Sequence, residues 1–100
     1  MKQTWGIDRK LGESRAEVLR IADAHGATRV RIFGSVARGD SRPDSDLDLL
    51  IDLEPGSHLL DLVAIQQDLE ELLGCSVHVV TEAALSPYIR DEILRDAAPL

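Results

Sequence analysis

The stretch Ile32-Phe33-Gly34-Ser35-Val36-Ala37-Arg38-Gly39, followed after a short polar interval by Ser45-Asp46-Leu47-Asp48-Leu49-Leu50, decides the reading of this 100-residue chain. The first segment ends an alternating run on a Gly-Ser turn, and the second opens a new alternating run with an Asp-x-Asp pair. A strand that turns straight into a helix through Gly-Ser presents unpaired backbone N–H groups and a positive helix end, the raw material of a phosphate cradle. Gly34 lets a phosphate approach the backbone, the Ser35 hydroxyl can donate one more hydrogen bond, and Arg38 is placed either to hold a triphosphate or to pair with a nearby acid. A Gly-Ser turn alone is weak evidence, because many turns use it.

The paired acids carry more weight. Side chains two apart on a strand point the same way, so the carboxylates of Asp46 and Asp48 converge. Two close carboxylates repel unless a cation sits between them. Mg²⁺ suits such a place, since it takes hard oxygen ligands and joins one or two carboxylates to substrate phosphates. The plain alternative is a solvent-facing strand with harmless acids. It fits poorly, because Asp is a poor strand former and the back face Leu47, Leu49, Ile51, Leu53 is wholly apolar.

Working outward, Met1 to Gly12 has no periodicity and reads as an arm, anchored if at all by Trp5; residues 13–100 read as one domain. Ser14-Arg15-Ala16-Glu17 has the form of a capping box, opening a helix that buries Val18, Leu19 and Ala22 and stops at Gly26. Thr28 to Phe33 alternates as a strand, with Val30 and Ile32 on one face. Ser35 to Gly39 reads as a short helix, Asp40 to Ser45 as a polar loop, and Asp46 to Leu53 as a second strand. A turn at Glu54-Pro55-Gly56-Ser57 leads into a long helix, His58 to Leu73, with Leu62, Ile65, Leu69, Leu72 and Leu73 inward and Gly74 closing it. Ser76 to Val80 reads as a third strand. Ser86-Pro87 starts a last helix with Ile89, Ile93 and Leu94 inward. The fold class is α/β: a three-stranded sheet with helices on one face, and Asp46 and Asp48 on the partly open other face.

Composition narrows the partners. Residues 1–42 carry nine Lys or Arg against five acids, whereas residues 43–100 carry two against thirteen. The net charge of -7 works against binding a phosphate backbone, so nucleic acid is a poor substrate candidate and a protein or small molecule a better one. The single cysteine, Cys75, excludes a disulfide framework and a multi-cysteine zinc site. No apolar run suits a signal peptide or a membrane span, and the expectation is a cytoplasmic protein without a membrane partner. His25 fits a helix C-terminus, His58 follows a turn, and Tyr88 is placed either to pack or to meet a partner.

The motif pair, the Leu-rich helix ending at Gly74, Val79-Val80-Thr81 and the ending Ile93-Leu94-Arg95-Asp96-Ala97-Ala98-Pro99-Leu100 resemble the minimal nucleotidyltransferases of the DNA polymerase β-like superfamily. The resemblance implies a palm-like fold with a small mixed sheet and transfer of a nucleoside monophosphate, usually AMP from ATP, to an acceptor hydroxyl. It implies that Gly34 and Ser35 hold the triphosphate and that Asp46 and Asp48 bind Mg²⁺ or Mn²⁺. Many such proteins are similar to antitoxins that neutralise a HEPN-type RNase toxin by binding it and adding AMP to it. Assembly with such a toxin, or with a second copy, is compatible with the sequence.

One position departs from the family pattern. His78, in Ser76-Val77-His78-Val79-Val80, stands where the family usually carries a third carboxylate. Imidazole is a poor ligand for Mg²⁺ and a better one for Mn²⁺ or Zn²⁺. Three readings stay open: a site weakened for catalysis, a general base for the acceptor, or a histidine at the rim with no role. Asp52 is no substitute, lying about 13 Å along the strand from Asp48. The alternative function is therefore a degenerate nucleotidyltransferase that silences its toxin by complex formation only.

Overall fold

The computed structural model describes residues 11–40 and 46–100; the arm's anchor Trp5 and most of the polar loop lie outside the described residues. In chain order the elements are α1 (Arg15–Ala24), β1 (Ala27–Phe33), α2 (Gly34–Arg38), β2 (Leu47–Leu53), α3 (Leu59–Leu73), β3 (Val77–Val80), a 3₁₀ turn (Glu82–Ala84), α4 (Pro87–Asp96) and β4 (Ala98–Pro99). The sheet order is β3-β2-β1-β4. β1 is antiparallel to both neighbours, and β2 and β3 are parallel, so the sheet is mixed. The parallel pair follows from α3, which supplies the long crossover that parallel strands need.

The sheet has four strands rather than the expected three. β4 is two residues long, with Ile32 opposite Ala98 and Arg31 opposite Pro99, and the Leu100 N–H donates to the Val30 carbonyl at 3.2 Å. A pair of residues ending in proline has no readable period, so only its neighbour β1 defines it as a strand.

Val30, Ile32, Leu47, Leu49, Ile51, Val77 and Val79 form the apolar face of the sheet. α1 and α3 pack on it and on each other through Val18, Ala22, Ile65, Leu69 and Leu73. Leu11, read from the sequence as part of the arm, instead enters this core, because its apolar side chain is covered there. Covering this face supplies the main driving force, on the order of 1.5–3 kcal/mol for each large apolar side chain buried.

The other face is not left bare of helices. α4 leans on β1 and α2, the 3₁₀ turn leans on β2, and Leu50 is fully buried on that side. Arg31, opposite Val30 and Ile32 on the face that the sequence leaves partly open, is only 8% exposed. Its guanidinium reaches Asp52 at 3.4 Å and Glu82 at 3.6 Å, which neutralises a charge that burial would otherwise penalise.

Three local expectations are corrected. Ser14 sits at the α1 N-cap but makes no side-chain capping bond, because Glu17 pairs with Arg20 one turn on, a charge-assisted contact that outcompetes the reciprocal cap. Leu72 and Ile89 are exposed rather than inward. α3 already fills its place on the sheet with Ile65, Leu69 and Leu73, and α4 touches the sheet only along part of its length. At the start of α4, Ser86 caps as the sequence indicates, its Oγ accepting from the Tyr88 N–H at 3.3 Å.

Candidate active site

The site forms at one end of the sheet, where β1 finishes and β2 and β3 begin. The register sets Phe33 opposite Asp48, and Asp48 opposite His78. Gly34 therefore enters its turn directly beside the Asp48 side chain. Its φ is +79°, in the left-handed region, and a β-carbon there would run into the Asp48 carboxylate. Gly34 is required twice over, by backbone angle and by space.

Asp46, Asp48 and His78 come together. The His78 Nδ1 lies 3.2 Å from Asp48 Oδ1, and its Nε2 lies 3.6 Å from Asp46 Oδ2. One imidazole edge thus faces both carboxylates, which confirms that they converge. Asp48 is half-buried, and burial pushes its carboxyl above the usual carboxylate range; the His78 contact opposes that rise and the neighbouring Asp46 charge adds to it.

Arg38 lies one turn beyond Gly34, but its contacts are with acids: Nη1 to Asp96 at 3.0 Å and Nε to Asp40 at 3.4 Å. The Asp96 pair ties the short helix α2 to the end of α4. The Asp40 N–H donates to the Ser35 carbonyl at 3.0 Å, closing the turn that carries the Ser35 hydroxyl. Asp96 is the part of this arrangement that residue spacing could not reveal, since 58 residues separate it from Arg38. Asp52 stands apart, engaged by Arg31.

Among the described residues, no group of three or more His, Cys, Asp or Glu side chains has the arrangement of a metal cage. The donor set still suits a single hard divalent cation, since two carboxylates converge on one small region and Mg²⁺ takes its other ligands from phosphates and water. Among the described residues no helix is long and apolar enough to cross a membrane.

A mixed sheet with a Gly-Ser turn set against an Asp-x-Asp pair defines a small nucleotidyl-transfer domain. The family profile described as "Nucleotidyltransferase domain" matches residues 15–99, and the chain belongs to that family. Among curated relatives, "Putative protein adenylyltransferase MJ0435" of Methanocaldococcus jannaschii is 39% identical, over 87% of this chain and 94% of its own length. "Protein adenylyltransferase MntA" of Thermococcus cleftensis is 34% identical, over 76% of this chain and 77% of its own length. A solved structure described as "Structure of putative minimal nucleotidyltransferase" superposes with a TM-score of 0.82 at 50% identity, covering 92% of this chain and 94% of that one. A second, "Crystal structure of the toxin-antitoxin with AMP-PNP", superposes at 0.72 over 84% of this chain and 69% of that one; at 15% identity it shares the fold alone.

Proposed function

We propose that this protein transfers AMP from ATP to a hydroxyl of a protein partner, and that it thereby acts as the cytoplasmic antitoxin of a HEPN-type RNase toxin. The observation that carries the reading is the convergence of Asp46 and Asp48 beside the Gly34-Ser35 turn. The names of the two curated relatives support the reaction, and the toxin–antitoxin structure that shares the fold supports the partner.

The chemistry follows from the groups present. The N–H groups of the Gly34-Ser35 turn, with the Ser35 hydroxyl, hold the triphosphate, and Arg38 adds its charge once it exchanges an acid for a phosphate. Asp46 and Asp48 would hold Mg²⁺ or Mn²⁺. A cation held there would supply charge neutralisation for the phosphate oxygens and would lower the pKa of the attacking hydroxyl. The acceptor oxygen forms a bond to the α-phosphorus, the bond from that phosphorus to the bridging oxygen breaks, and pyrophosphate leaves with the electron pair. The hydroxyl proton passes to His78, the base that faces both carboxylates. Catalysis is mainly positioning and charge neutralisation, as in other phosphoryl-type transfers.

The second reading, neutralisation by binding alone, is favoured by one observation. His78 faces both carboxylates, in the place where the family resemblance expects a third one. Incubation with α-labelled ATP, Mg²⁺ or Mn²⁺ and the cognate toxin separates the two. Label on the toxin that disappears with Asp46→Asn and Asp48→Asn establishes the enzyme. A toxin that is silenced without label under either metal establishes the binding module.

A further inference from the structure

The first turn of α3 carries an apolar stripe that the fold does not use. Leu59 is 79% exposed, Leu60 78% and Val63 46%. At 100° per residue these three fall within one 100° sector, and the core positions Leu62, Ile65, Leu69 and Leu73 cluster in a separate sector centred about 130° away. The helix is thus amphipathic toward the sheet and apolar again on its outer side. Two adjacent leucines held in water at nearly full exposure cost on the order of 1.5–3 kcal/mol each relative to burial, the signature of an interaction surface rather than of scattered exposure.

Charge indicates what covers it. Residues 43–89 contain ten Asp or Glu and no Lys or Arg. Glu54 precedes the stripe, and by the same rotation Glu70 and Glu71 fall within or just beside its sector further along the helix, whereas Asp61 and Asp68 lie on another side. A second copy of this surface would bring like charges together, whereas a protein presenting apolar side chains among lysines and arginines meets both the leucines and the acids.

Topology gives the surface its use. Asp46 immediately precedes β2, Asp48 lies at its start, and α3 follows its far end, so the stripe lies at the end of the sheet opposite the candidate active site. We infer that the outer face of the α3 first turn is the holding surface for a basic protein partner, kept apart from the transfer site so that the partner is bound without covering it. This rests on the proposal above that the acceptor is a protein, the toxin.

The test uses the full chain with its cognate toxin. Leu59→Glu with Leu60→Glu, both at exposed positions, leaves the melting temperature and ATP binding unchanged and weakens the complex about tenfold or more by calorimetry. The complex of the native chain also weakens as NaCl rises from about 0.05 to 0.5 M, as charge complementarity requires. A double variant that binds the toxin with native affinity, or a complex indifferent to salt, overturns the inference while leaving the transfer reading intact. Sedimentation of the chain alone gives a monomer. A dimer that the double variant dissolves assigns the face to a second copy and overturns the basic partner. Absence of both complex and label transfer with the native chain defeats the protein-acceptor reading itself, and this surface's role falls with it.

Discussion

Gly34 and Asp48 are in contact across the β1–β2 pair, with no room between them for a methyl group. The turn proposed to receive phosphate and the carboxylate proposed to hold a cation are thereby set at one fixed separation. Gly34→Ala meets both a left-handed φ and a clash. It should cost about 1–3 kcal/mol of stability and abolish nucleotide transfer, read by thermal melting and by label transfer. A variant that melts and transfers like the native protein would show that this contact does not shape the site.

Asp48→Asn should uncouple stability from function. The folded state raises the Asp48 pKa, chiefly by burial, so it binds that proton more tightly than the unfolded chain does. Stability from this group is therefore fully present at low pH and is lost as pH rises through the carboxylate range and the folded pKa. At neutral pH without metal, Asp48→Asn should melt at or a few degrees above the native protein. The native-minus-variant difference should shrink on acidification, and divalent-cation binding should disappear. Melting curves at pH 4, 5.5 and 7 with calorimetric cation titration check both parts.

His78→Asp should place three carboxylates around one point. Their repulsion lowers the melting temperature of the metal-free protein, and Mg²⁺ restores it, because the cation relieves what the substitution creates. Mg²⁺ affinity should rise about tenfold or more, measured by calorimetry, with a larger thermal shift on addition of Mg²⁺ than the native protein gives. Equal Mg²⁺ affinity in the two proteins would remove His78 from the site.

Arg31 is a buried cation whose partners Asp52 and Glu82 tie β2 and the 3₁₀ turn to β1. Replacing it with Leu keeps much of the packing and leaves two partly exposed acids, a loss of about 1–2 kcal/mol. Replacing Asp52 and Glu82 together with Ala leaves the guanidinium uncompensated and should cost about 3–5 kcal/mol. Denaturant melts that reverse this order would show that packing, and not charge compensation, holds that face.

The elements were largely legible in the chain because their periods are local. Leu47, Leu49 and Ile51 announce a strand with one buried face, and the spacing of Ile65, Leu69 and Leu73 announces a helix, whatever they pack against. The Asp-x-Asp pair could likewise be placed on one face by spacing alone. What the spacing could not supply were events between distant residues. The Ser14–Glu17 box failed because Arg20 was the better partner for Glu17. Arg31 was indistinguishable from Arg29 until Asp52 and Glu82 closed over it. β4 exists only as an addition to an edge already built.

The sequence by itself determined the two motifs, the family they resemble and the division of charge between the two halves, since each depends on residue type at short range. Only the tertiary structure decided that Gly34 abuts Asp48, that the His78 ring faces both carboxylates, that Asp96 holds Arg38, and that Leu59 and Leu60 remain outside. Those are consequences of strand register and of which face α1, α3 and α4 occupy. Register and layer are set by the global packing of the sheet and not by any local period.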